Sequence, residues 1–153
     1  SPAMAANATK VRSEPCWAVM LAYAQPTRIV SRSFEPEEGP LVWTARNSSK
    51  LGRTDAETWV LHARPDWSAA HIEAAPEKVA EELVDSFREQ TGAGAPDFAQ
   101  AHRWRYARVA EPLGTPFQLE AASGLATCGD WHLGARVEAA WTSGRLLAAE
   151  LLR

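Results

Sequence analysis

Cysteine and paired histidines, the residues from which disulfides and zinc sites are built, are scarce in this sequence. The 153 residues include only two cysteines, Cys16 and Cys128, and these are not spaced as a CxxC pair. Both lie in apolar, strand-like segments, so we expect buried reduced thiols and a cytoplasmic protein. His62 and His71 do not have the spacing of a metal pair on one helix, and we predict no metal site.

Long apolar runs and an excess of positive charge are also missing. The longest apolar run, residues 17–24, is much shorter than the roughly 20 residues that a membrane-spanning helix needs. The 16 Lys and Arg residues are outnumbered by 19 Asp and Glu residues, which gives a net charge of −3. This balance argues against a general nucleic-acid-binding protein. The sequence contains no GxxxxGK[ST] motif, which excludes a P-loop.

Short apolar segments separated by turn residues predict an α+β fold with a mostly antiparallel or mixed sheet and flanking helices. The continuously apolar residues 17–23 predict a central strand that is covered on both faces. The alternation over residues 28–34 predicts a half-exposed strand. Residues 76–90 predict a helix, because Pro76 suits its first turn and Gly92 its end. Further strands are predicted over residues 41–45, 57–63 and 102–109.

Residues 125–148 have the pattern of a strand, a turn and a helix. The apolar residues 125–128 predict a buried strand, after which Gly129 permits a sharp turn and Asp130 places a carboxylate beside it. From Val137 onward, apolar and small residues recur at helical spacing. The start of such a helix carries unpaired N–H donors and roughly half a positive charge, so it suits an anionic or electron-rich ligand. From spacing alone, an ordinary terminal strand and helix is an equally good interpretation.

The segment GDWHLGARVEAAWTSGR, residues 129–145, resembles the flavin-binding segment near the carboxyl end of FAD-dependent amine-oxidase-like proteins, most closely the bacterial renalase-like oxidoreductases. The segments PCWAVMLAY, ARNSSKLGR, ETWVLHARPDWS and HRWRYAR are similar to the same family, and the resemblance extends over residues 15–145. It implies FAD as cofactor and oxidation of dihydronicotinamide, NAD(P)H-type substrates, with oxygen as electron acceptor and peroxide as product. Amine oxidation is the alternative within the family.

The resemblance also implies roles for particular residues. Gly129 and Asp130 match the pair that receives the ribityl or pyrophosphate part of FAD. Arg136 and Val137 match the positions whose backbone approaches the pyrimidine edge of the flavin, and Gly134 lies with them at the expected helix start. The resemblance identifies no catalytic residue.

The polar residues 46–53 contain three cations and two hydroxyls. Their composition alone favours a solvated loop. The resemblance makes this segment a wall of the substrate cavity, and it implies that Trp43, Arg46 and Asn47 bind a dinucleotide-type substrate.

The sequence departs from the family in one respect, because it has no GxGxxG phosphate-binding loop. We therefore interpret the chain as a carboxyl-terminal fragment, inactive alone, whose partner is an upstream half that carries this loop. Residues 1–14 are interpreted as a tail in which Ser1-Pro2-Ala3 resembles an expression scar, residues 15–118 as the substrate lobe, and residues 119–153 as the FAD-contacting part of a split domain. A free-standing α+β binding or interaction domain without catalysis is the alternative.

Residues 102–109 alternate aromatic residues with arginines. This pattern is found in proteins that stack single-stranded bases, although the acidic composition of the chain disfavours that function. The preferred interpretation is a sheet strand whose arginines pair with carboxylates, with one or two of them free to meet a charged dinucleotide.

Overall fold

The fold is α+β, as predicted. The computed structural model describes residues 1–53 and 56–153, and these contain five helices, a five-stranded antiparallel sheet and a two-stranded sheet. The helices are α1 (Pro2–Ala8), α2 (Pro65–Ala70), α3 (Pro76–Thr91), α4 (Asp130–Leu133) and α5 (Val137–Leu151). The strands are β1 (Arg12–Tyr23), β2 (Ser33–Phe34), β3 (Leu41–Arg46), β4 (Glu57–Ala63), β5 (Phe98–Glu111), β6 (Gln118–Glu120) and β7 (Leu125–Thr127). The larger sheet has the order β2-β3-β4-β1-β5, and β6 pairs with β7.

The chain divides into two compact units. One comprises Ser1–Glu14 and Tyr106–Arg153, and the other comprises Pro15–Arg105. The predicted functional division into a tail, a substrate lobe and an FAD-contacting segment stays a prediction.

The unit of residues 15–105 has its core between the sheet and α3. β4 pairs antiparallel with β1 on one side and with β3 on the other. Trp17 and Trp59 from the strands are fully buried in one cluster with Leu83 and Phe87 from α3. These large side chains remove apolar area from water, which is the main source of stability in a unit of this size.

The helix predicted over residues 76–90 is confirmed and forms as α3. The helix begins at Pro76 and ends at Thr91, and the next residue, Gly92, caps it with a left-handed φ of 71°. Glycine adopts this conformation without the steric cost that a Cβ imposes. The apolar residues that recur at helical spacing along it, Val79, Leu83, Val84 and Phe87, are buried.

Two strand predictions need correction. β1 is an interior strand of the sheet, between β4 and β5, but it is not covered equally on both faces, because Leu21 is buried whereas Met20 is 39% exposed. Residues 28–34 do not form a continuous strand, since only Ser33–Phe34 pairs with β3. The φ of 63° at Arg28 turns the backbone away from extended geometry at the point where the alternating pattern begins.

The unit of residues 1–14 and 106–153 combines α1, α4, α5 and the β6–β7 hairpin. The strand predicted at residues 125–128 forms as β7, but Leu125 is 46% exposed, so the strand is not buried as predicted. Cys128 is likewise exposed, which corrects the expectation of a buried thiol, whereas Cys16 is half-buried. Apolar composition indicated the strand without showing what would cover it.

Among the described residues, no helix has the length and apolar character needed to cross a bilayer.

Candidate functional site

The turn at Gly129 is shaped by two neighbours. Gly129 has a φ of 142°, and a Cβ at this position would lie 2.9 Å from Cδ1 of Trp131. The Gly129 N–H donates to Oγ of Ser143 over 2.9 Å, and the Ser143 hydroxyl in turn donates to the carbonyl oxygen of Pro116. Ser143 belongs to α5 and is fully buried, so its hydrogen bond from Gly129 connects the turn to this helix. Its small size was evident from the sequence, but its hydrogen bonds were not.

His132 is a structural residue of the same turn. Its ring is fully buried, with Nδ1 2.9 Å from the carbonyl oxygen of Thr115 and Nε2 3.1 Å from Oγ1 of Thr127. Because a carbonyl can only accept, Nδ1 donates to Thr115, and Nε2 is hydrogen-bonded to the Thr127 hydroxyl, which can donate or accept. Both ring nitrogens are therefore used within the turn.

Asp130 keeps part of its carboxylate available. Oδ1 accepts from the N–H of Trp131 over 2.9 Å, while Oδ2 has no hydrogen-bond partner among the described residues. The side chain borders a cavity of about 380 Å³, together with Val11, Tyr106 and Trp131. Asp130 can thus accept one further hydrogen bond from a hydroxyl group.

The start of α5 provides backbone donors, but fewer than the sequence predicted. The N–H of Gly134 donates to the Asp130 carbonyl over 2.7 Å, and the N–H of Arg136 donates to the Gly134 carbonyl over 2.8 Å. No side chain caps the helix. Within the described part of the chain, the N–H groups of Val137 and Glu138 have no acceptor. The positive end of the helix macrodipole therefore lies at Val137, where these N–H groups are unpaired.

The outer face of α5 is apolar and exposed. Ser143 and Leu147 are buried, whereas Val137 is 84% exposed and Trp141 is 66% exposed. The apolar positions that recur at helical spacing from Val137 onward therefore lie largely on the exposed side of α5. Arg145 lies over the Trp141 ring at 5.6 Å, so this face is only partly shielded from water.

The three predicted substrate residues do not share one cavity. Arg46 borders a cavity of about 430 Å³, and the described wall of this cavity includes neither Trp43 nor Asn47. Trp43 packs on the ring of His62 with 5.0 Å between centroids. Asn47 begins the 3-10 turn that follows β3.

Several residues that local sequence patterns did not identify surround Arg46. Tyr23, Arg32 and Glu57 also line this cavity, as does Arg53 from the predicted polar segment 46–53. Tyr23, Arg32 and Glu57 come from separate segments of the chain, so no local spacing connects them. Their proximity follows from the sheet, in which Tyr23 is the register partner of Glu57.

Glu57 is held in its ionised form. Burial on its own raises the pKa of this carboxyl, but hydrogen bonds from Thr27 and Trp59, together with the charge of Arg46, outweigh burial and lower the pKa below its usual range. Oε1 accepts from the Trp59 indole N–H over 2.7 Å, and Oε2 accepts from the Thr27 N–H over 3.0 Å.

The arginines of β5 are paired with carboxylates. Arg103 lies 3.3 Å from Glu73, and Arg105 lies 2.7 Å from the same carboxylate. In the other unit, Arg108 lies 2.6 Å from Glu14. These contacts confirm that the arginines of this strand pair with carboxylates. All three are paired, so the expected contact of one or two of them with a dinucleotide stays a prediction, and less of their charge is available for a nucleic-acid backbone.

Substitution of Gly129 tests the geometry of the turn. We expect Gly129→Ala to lower the free energy of unfolding by about 1–3 kcal/mol. Alanine is strained at the backbone φ of this position, and its methyl group also comes too close to Trp131. Urea unfolding and hydrogen exchange of the α5 amides measure the effect. Gly124→Ala is the matched control, since Gly124 has a φ of 67° but open space around its Cβ position. A smaller loss in Gly129→Ala than in the control contradicts this account.

No family model matches the sequence. Among the described residues, no group of three or more His, Cys, Asp or Glu side chains is arranged to hold a metal ion.

Proposed function

We propose that this chain is the carboxyl-terminal part of an FAD-dependent, renalase-like oxidoreductase. The enzyme oxidises dihydronicotinamide dinucleotides with oxygen as electron acceptor, and peroxide is the product. A GxGxxG-containing half encoded upstream supplies the phosphate-binding loop, and the present chain is inactive without it. Both cysteines are free, which fits the proposed cytoplasmic location.

The observation that carries the proposal is the uncapped start of α5 in a strand-turn-helix that resembles a flavin-binding segment. The N–H groups of Val137 and Glu138 are available to an acceptor, and the helix end adds positive potential. Such an environment favours the negative charge that develops on a reduced flavin. The backbone donor at Val137 is therefore the contact we assign to the flavin ring.

The remaining residues of this segment fit FAD in complementary ways. The free Oδ2 of Asp130 can accept from a ribityl hydroxyl, which is more favourable than placing a carboxylate against phosphate. Gly134 and Arg136 use their N–H groups within the turn, so they shape the approach to the helix rather than donate to the cofactor. FAD supplies the hydride-accepting chemistry when it is bound, and the protein supplies binding and orientation.

The exposed apolar face of α5 supports the need for an upstream half. Val137, Trp141 and Leu151 are each more than half exposed on this helix. Burying side chains of this size stabilises an assembly by roughly 1.5–3 kcal/mol each. We propose that the upstream half covers these residues when the FAD-binding domain is complete.

Joining the chain to the upstream half of its own gene tests the proposal. We expect the joined protein to purify yellow with about one FAD per chain, and the present chain alone to bind FAD weakly or not at all. A gene that begins at Met4, with no dinucleotide-binding segment encoded before it, contradicts the proposal. A joined protein that folds and remains colourless when FAD is added contradicts it as well.

A further inference from the structure

The cavity beside Arg46 gathers positive charge in the unit of residues 15–105. Arg46 lies at the end of β3, Arg32 immediately precedes β2, and Arg53 follows the 3-10 turn. The backbone positions two of them together, because the N–H of Arg46 donates to the carbonyl oxygen of Arg32 over 2.7 Å. Three arginines thus line one cavity of about 430 Å³ in a chain whose net charge is −3.

The carboxylate in this wall does not neutralise all three arginines. Glu57 contacts Arg46, with 3.4 Å between Oε1 and Nε, and its oxygens also accept from Thr27 and Trp59. Arg32 and Arg53 have exposed side chains and no ion-pair partner among the described residues. The described wall of the cavity therefore carries three arginines and one carboxylate, and an oxyanion can compensate the positive charge that remains.

Two residues that line this cavity, Tyr23 and Arg46, each have a buried donor without a hydrogen-bond acceptor among the described residues. Tyr23 is only 5% exposed, and its buried hydroxyl has no hydrogen-bond partner in the described part of the chain. The Nε of Arg46 is also buried without a hydrogen bond, because its approach to Glu57 has ion-pair distance but not hydrogen-bond geometry. Buried polar groups without partners are uncommon in proteins, so their occurrence at one cavity calls for a ligand atom or a bound water there.

Arg46 is held in a fixed position by its surroundings. Its Nη2 donates to the carbonyl oxygen of Ile29, and its guanidinium lies 5.1 Å from the centroid of the Trp59 ring. The nearby Ser48 hydroxyl accepts from the N–H of Thr58 over 3.2 Å, which leaves its own proton free to donate. A fixed guanidinium and a hydroxyl donor at one wall are suited to binding phosphate oxygens.

We propose that this cavity binds the phosphate groups of a phosphorylated ligand through Arg32, Arg46 and Arg53. Within the function proposed above, the ligand is the pyrophosphate part of the dinucleotide substrate. Its identity as a dinucleotide rests on that proposed function, whereas the binding of the oxyanion does not. Tyr23 completes the site, since its hydroxyl donates to a phosphate oxygen directly or through one water.

Calorimetric titration of the 153-residue chain with inorganic pyrophosphate tests the site. We expect saturable binding by the unsubstituted chain and an affinity about tenfold lower in Arg32→Gln, because a charge-assisted contact is lost. Lys78→Gln is the control, since it removes an exposed cation from α3 in the same unit and should bind pyrophosphate as the original chain does.

Tyr23→Phe separates a ligand-binding role from a structural one. The hydroxyl makes no hydrogen bond within the described chain, so its removal should leave thermal stability unchanged or raised. Pyrophosphate affinity should nevertheless fall several-fold. An affinity equal to that of the original chain shows that Tyr23 is not part of the site and overturns its assignment.

The binding of pyrophosphate needs no flavin, so the two proposals fail separately. Absence of saturable binding, or an equal loss of affinity in Arg32→Gln and Lys78→Gln, overturns the phosphate site whatever the colour of the joined protein. If the joined protein binds no flavin while the 153-residue chain binds pyrophosphate, and binds it more weakly in Arg32→Gln, the flavoenzyme is overturned and the phosphate site is supported. Titration with NADH then shows whether the dinucleotide competes with pyrophosphate. Failure to compete overturns the dinucleotide assignment alone.

Discussion

Asp130→Ala is expected to lower the affinity of the joined protein for FAD by about ten- to a hundredfold, which is the range for losing a hydrogen bond to a charged group. Oδ2 of Asp130 is available to a ribityl hydroxyl, while Oδ1 accepts from the N–H of Trp131 and so stabilises the turn. Alanine removes both contacts. Fluorescence titration of the FAD-free joined protein with FAD measures the loss.

Two controls separate the role of Asp130 from general damage. Asp130→Asn keeps an oxygen that can accept from Trp131, so it should preserve the turn and lose less affinity than Asp130→Ala. Glu150→Ala removes a carboxylate from the last turn of α5, where its partner is the exposed Arg153, and should change FAD affinity little. Stoichiometric flavin of unchanged affinity in Asp130→Ala refutes the role assigned to this residue.

Phe87→Ala is expected to lower the free energy of unfolding by about 3–5 kcal/mol, which is the usual cost of removing a buried phenyl ring. The Phe87 ring is fully buried, with its centroid 6.2 Å from that of Phe34 and 5.3 Å from that of Trp59. Its removal therefore leaves a cavity between α3 and the sheet. Urea unfolding followed by circular dichroism measures the change.

Glu81→Ala is the matched control on the same helix. Glu81 is exposed, so its replacement should alter the free energy of unfolding by less than about 0.5 kcal/mol. A loss in Phe87→Ala no larger than the loss in Glu81→Ala contradicts the assignment of this core.

Elements with strong local signals were predictable from the sequence. α3 has a proline in its first turn, an apolar stripe at helical spacing and Gly92 at its end, and all three signals refer to residues within one helix. β4 was predictable for a similar reason, since its alternating side chains are alternately buried along the strand. In both cases, the hydrophobic period and the local backbone geometry agree.

Features that depend on tertiary contacts were not predictable in the same way. The alternation near Arg28 resembled a strand, but the positive φ of this residue prevents an extended start. The apolar residues of β7 indicated a strand and gave no information about its exposure. In each case, the sequence pattern shows which residues are apolar or polar. Whether a residue is buried depends on which other parts of the chain pack against it.

The candidate sites show the same contrast. Gly129 and Asp130 are adjacent in sequence, so a motif could identify them together. Arg32 lies just before β2 and Arg46 lies in β3, and the two residues come together because β2 pairs with β3. Tyr23 lies beside Glu57 because β1 pairs with β4. A site assembled from separate strands has no spacing by which a single sequence identifies it.

Anaerobic reduction of the joined protein is the most direct test of the proposed oxidoreductase. The protein is mixed with isomeric dihydronicotinamide dinucleotides, and its visible absorption is recorded before and after oxygen is admitted. We predict that the flavin absorption is lost with the substrate and returns with oxygen, with one peroxide formed per dinucleotide oxidised. A flavin-containing joined protein whose absorption does not change with any of these dinucleotides contradicts the proposed activity.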